Sequence, residues 1–108
     1  MDNTEKIRQL EQMLAAAPDD ALACFLLGRE YAEAGRHEDA AGVLERCVQL
    51  NPAHTAAYRF WGDALRKAGD TARAREVLEA GIGVADETGE LQSGREMAAL
   101  LNRIAKGQ

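Results

Sequence analysis

No apolar run in this chain approaches the 18 or so residues of a membrane span. The first residues, MDNTEKIRQLEQ, lack the charged-then-apolar order of an export signal. Cysteine occurs only twice, at 24 and 47, and not as C-x-x-C. That usage fits a reducing cytoplasm better than a disulfide framework, so a cytoplasmic location is expected. Positive charge is in deficit, with 13 Lys and Arg against 18 Asp and Glu for a net charge of -5. Such a balance argues against non-specific phosphate binding, and neither nucleic acid nor membrane is an expected partner. Strand-like alternation is missing throughout, which makes the chain all-α. What remains is 46% hydrophobic and 29% charged over 108 residues, the composition of one soluble domain with a core of its own.

Proline also occurs only twice, at 18 and 52, and the interval of 34 residues is informative. Sliding residues 20–52 onto 54–86 matches Ala23 with Ala57, Gly28 with Gly62, Ala34 with Ala68 and Gly35 with Gly69. The same shift matches Ala40 with Ala74, Val43 with Val77, Leu44 with Leu78 and Glu45 with Glu79. Self-similarity at such a period signals stacked repeats. Each unit reads as two helices. In the first, Asp19 or Asp20 caps a helix to Ala34, Gly35 breaks it, and a second helix runs from His37 until Asn51–Pro52. In the second, helices run from Thr55 to Ala68 and, after Gly69 and the cap Asp70, to about Glu87. Residues 3–16 read as the second helix of an incomplete preceding unit, and residues 90–105 as a C-terminal capping helix. One 108-residue domain of six helices is expected, with repeat one at 20–52 and repeat two at 54–87.

A glycine inside a helix costs about 1 kcal/mol relative to Ala. Two of them at one spacing imply a shared purpose. Gly28 with Ala40, and Gly62 with Ala74, are expected where the paired helices cross closely.

The pattern resembles the tetratricopeptide repeat family, whose motif runs W-x2-L-G-x2-Y, then small, large and small residues and a closing Pro. Cys24, Leu27, Gly28, Tyr31, Ala40, Leu44, Cys47 and Pro52 carry it in the first unit. Tyr58, Trp61, Gly62, Leu65, Ala74, Leu78, Gly81 and Asp86 carry it in the second. Where Asp86 replaces the closing Pro, the helix is expected to continue toward Thr88. The resemblance implies a right-handed α-solenoid of antiparallel helix pairs. It also implies a concave groove, lined by the first helix of each pair, that binds a protein or peptide segment.

Carried over residue by residue, that groove takes Leu22, Phe25, Arg29 and Glu33 from the first unit. The second adds Arg59, Phe60, Asp63, Arg66 and Lys67. The run ALACFLL is apolar almost all round, so Leu22 and Phe25 are expected to be exposed, and aromatics beside Arg have the composition of binding hot spots. Packing of Phe25 and Phe60 between repeats is the alternative. One subclass of the family clamps a chaperone's C-terminal carboxylate with Lys and Asn. Those positions fall on Phe25, Arg29 and Phe60, of which only Arg29 suits, so that specificity is not expected.

No enzyme, cofactor or metal site is expected. His37 and His54 are expected to be solvated and lack a helical i, i+4 metal spacing. Cys24 and Cys47 fall on small core positions as inert thiols, with a redox pair as the other reading. Both terminal helices carry a single apolar stripe, Ile7, Leu10, Met13 and Leu14 on one and Met97, Leu100, Leu101 and Ile104 on the other. A monomeric peptide-binding adaptor is therefore expected, and the alternative is a homodimer through the apolar first-helix face.

Overall fold

The computed structural model describes residues 3–108. Six helices follow one another: α1 (Thr4–Ala16), α2 (Ala21–Glu33), α3 (His37–Leu50), α4 (Thr55–Lys67), α5 (Thr71–Thr88) and α6 (Leu91–Ala105). No strand occurs among the described residues. The helices form a right-handed stack in which α2 pairs with α3 and α4 with α5, while α2, α4 and α6 form one layer.

Helix ends follow from local chemistry. The Asp20 carboxylate accepts the Ala23 amide at 3.0 Å, and Asp70 accepts that of Arg73 at 3.2 Å, so each satisfies an orphan donor. At the other ends, Gly35, Gly69 and Gly89 adopt φ of 78°, 92° and 77°, a left-handed backbone that side chains disfavour. The turn lets the next amide reach back, Arg36 to the Tyr31 carbonyl and Asp70 to that of Leu65, both at 2.9 Å. After α5, which has no proline near its end, the helix continues to Thr88 as expected and stops at Gly89.

The repeated glycines do face the paired helix at a contact with no room for a Cβ, but not opposite alanine. A Cβ on Gly28 would lie 2.5 Å from Leu44 Cγ, and one on Gly62 would lie 2.4 Å from Leu78 Cδ2. Ala40 and Ala74 are fully buried nearby, yet leucine is what fills the glycine notch. The reason is direction. Helical side chains lean toward the helix N-terminus, so a leucine one turn beyond the alanine reaches back over the same spot.

Positions at which the two units differ make polar or aromatic contacts of their own. Tyr31 OH donates to Glu11 of α1 at 2.5 Å, tying α1 to α2. Burial first, and then this hydrogen bond, push the Tyr31 phenol up to about 12. Trp61, at the position of Leu27, is too large to bury completely, and the Arg73 guanidinium covers it 5.6 Å from a ring centroid. Arg73 also pairs with Glu45 of α3, so one cation joins the two units.

Candidate functional site

The exposed side of the α2–α4–α6 layer holds the residues expected to form the groove. Leu22, in the first turn of α2, is 64% exposed. Phe25, one turn on, is half-buried and meets Phe60 of α4 edge-on, with ring centroids 5.6 Å apart at 76°. Such a T-shaped pair sets the positive edge of one ring against the negative face of the other. Arg29 follows on the same face of α2. Its guanidinium carbon lies 5.9 Å from the Phe25 centroid and 5.8 Å from that of Phe60. No carboxylate of the described residues is paired with it. Arg59 lies over Phe60 at 4.4 Å and places Nε 2.8 Å from a Glu96 carboxylate oxygen on α6.

Phe25, Phe60, Arg29 and Arg59 thus form one cluster across two repeats. Asp63 and Arg66 form an intrahelical pair 2.8 Å apart, joined by Lys67 at 3.2 Å. Leu22 extends the cluster as an exposed apolar residue. The two phenylalanines are less exposed than expected. Both pack against the core while leaving part of each ring to solvent. A mixed state results because each ring spans the boundary between two repeats.

His54 differs from the expectation of a solvated side chain. It immediately precedes α4, is half-buried, and packs its ring 4.4 Å from the Phe25 centroid. Its Nδ1 lies 3.7 Å from Cys47 Sγ. Burial pushes the imidazole below its ordinary value, and the Glu90 carboxylate opposes that shift. His37 is half-buried as well. The depressed His54 value fixes the sign of a pH effect. Neutral imidazole suits the fold, so this contribution is complete above the ordinary histidine value and is lost as pH falls through the lower folded value. Urea midpoints measured at about pH 7.5 and about pH 5 should fall less on acidification in His54→Gln than in the parent chain.

Cys24 and Cys47 are free thiols, 1% and 0% exposed, packed with Ala57. Burial raises both, Cys47 to about 11, so neither is a ready thiolate. No group of three potential metal ligands occurs among the described residues. No helix there is long and apolar enough to cross a membrane.

The residues of α6 were not anticipated. Glu96, Leu100 and Arg103 line a cavity of about 250 Å³ with Arg59 and Asp63. Treating 90–105 only as a cap hid this, and so did the strict 34-residue period. From Thr55 to Leu91 the interval is 36 residues, enough to rotate the whole face by about half a turn of helix.

Stacked helix pairs with a shared first-helix face define a helical repeat module. Two family models, each described as tetratricopeptide repeat, match residues 31–104 and 1–57. The chain belongs to the tetratricopeptide repeat family. It is 39% identical over 102 residues to a TPR repeat-containing protein of Pseudomonas aeruginosa, covering 94% of this chain and 97% of that one. A protein of Bordetella parapertussis solved in solution is 33% identical with a TM-score of 0.80, covering 94% of this chain and 88% of that one. The TPR2B domain of yeast Sti1, solved as a complex with pHsp70, superposes with a TM-score of 0.86 at 20% identity. That match covers 94% of this chain and 82% of the domain, and at this identity it speaks for the fold alone.

Proposed function

We propose that this chain is a non-catalytic protein-interaction module that holds a peptide segment of a partner against the exposed face of α2, α4 and α6. One observation carries the reading. Arg29 extends its guanidinium over two half-buried phenyl rings with no carboxylate paired to it, beside an exposed Leu22. Desolvated aromatics supply affinity through buried area, and an available arginine supplies orientation and on-rate. The segment that fits has an apolar side chain flanked by acidic ones. The buried thiols suit the reducing conditions of a cytoplasmic protein.

Selection from a displayed peptide library tests this. Recovered sequences should share an apolar residue next to Asp or Glu. Arg29→Glu and Leu22→Glu should each weaken such a peptide by about tenfold or more, with melting unchanged because both side chains are exposed. Phe25→Glu should lose binding and also stability, since that ring is half-buried against the core. Affinity indifferent to both Arg29 and Leu22 would sink the reading. A dimer persisting at micromolar concentration and dispersed by Leu22→Glu would instead favour self-association.

A further inference from the structure

The second helix of each complete pair withdraws the same four positions from solvent, wholly or in part. On α3 these are Ala40, Val43, Leu44 and Cys47, and on α5 they are Ala74, Val77, Leu78 and Gly81. Leu44 and Leu78 receive Gly28 and Gly62 there. Counting back 34 residues from α3 gives Lys6, Gln9, Leu10 and Met13 on α1. Those same four residues, with Leu26 and Arg29 of α2, line an open cleft of about 330 Å³. Among the described residues no helix lies over α1 as α2 lies over α3. The cleft is therefore the position of a first helix for the leading half-repeat, and Met13 is left 49% exposed in it.

We propose that this cleft docks an acidic amphipathic helix of a partner protein, which completes the leading repeat from outside. Apolar shape and charge together specify the occupant. Leu10 stands where Leu44 and Leu78 stand, so the helix opposes it with glycine or alanine. Met13 and Leu26 take apolar side chains at neighbouring turns. Lys6 replaces the fully buried Ala40 and Ala74, which keeps that end of the seat wet and the helix axis farther away. Its ammonium, 3.7 Å from Glu30, and the Arg29 guanidinium leave one positive charge in excess at the mouth. Acidic residues on the entering helix match it. The α6 of a second copy does not, because it presents Arg95 and Arg103 while its Glu96 is held by Arg59.

The probe is a lactam-bridged helical peptide of residues 54–69, which carries the Gly62 notch for a leucine. In its acidic form it bears Arg59→Glu, Arg66→Glu and Lys67→Glu. The parent peptide is the control. Carbon-13 methionine methyl spectra of the full chain should show the acidic peptide shifting Met13 and leaving Met97 in place. Affinity by fluorescence anisotropy should be about tenfold weaker for the parent peptide, and weaker by a similar factor in Met13→Glu. Lys6→Glu should reverse the preference between the two peptides. Arg75→Glu in the chain should leave this affinity unchanged, since that side chain is exposed on α5, outside the cleft. A Met13 methyl unmoved by the helical acidic peptide overturns the proposal, as do equal affinities for both peptides. A Met13 shift that depends on protein concentration without peptide overturns the choice of partner in favour of a second copy.

Discussion

Gly62→Leu should cost about 3 kcal/mol of folding stability, the upper part of the range for overpacked cores. In a domain with roughly 5–15 kcal/mol in total, this is a large fraction. The melting temperature should drop by about 10–20 °C. Even a single methyl has no room. A Cβ at residue 62 would lie 2.4 Å from Leu78 Cδ2 and 2.5 Å from Cγ, and Cγ is not the free end of a flexible chain. Gly62→Ala should therefore destabilise too, by about 1–2 kcal/mol, because overpacking outweighs the gain in helix propensity of about 1 kcal/mol. Thermal denaturation followed by circular dichroism reads both. An unchanged melting temperature for Gly62→Leu would show that α4 and α5 do not cross at this glycine.

Leu78→Ala should cost about 2–5 kcal/mol, since the side chain is fully buried and its removal leaves a cavity against α4. Combining it with Gly62→Ala should cost less than the two single changes together. The added methyl occupies space that the leucine vacates, so a favourable coupling of about 1 kcal/mol is expected from the cycle. Urea titration of the four chains measures it. Strict additivity would mean that the two residues do not share a contact.

Most of the fold is legible in the sequence because it is written twice. The matched pairs from Ala23 with Ala57 to Glu45 with Glu79 set the period, and Asp20, Gly35, Asp70 and Gly89 punctuate the helices through local chemistry. The partner of each glycine was harder to read. Small residues at Gly28 and Ala40 suggest that they meet, whereas side-chain direction hands the notch to Leu44. Within the candidate site, Phe25, Arg29, Arg59 and Phe60 follow from the resemblance to the family, carried over residue by residue. His54 and Glu96 do not, because their burial and pairing depend on how neighbouring units approach. The extra turn of α5 is the physical cause for α6. At 18 residues against 14 for α3, it displaces the next helix from the register that simple counting assumes.

The helix that lines the open cleft is also the one held most lightly. Among its residues only Ile7 is buried, whereas α4 buries six. In a stack where each element touches only its neighbours, free energy of opening is distributed along the chain and is smallest at such an end. α1 therefore lifts away from α2 more often than the body of the domain unfolds, carrying with it the Tyr31 to Glu11 hydrogen bond. Whatever binds across α1 and α2 engages only the closed form and so suppresses this opening. The apparent affinity there is the intrinsic one scaled by the fraction of molecules in which α1 is in place, so binding draws a fraying end toward its closed form.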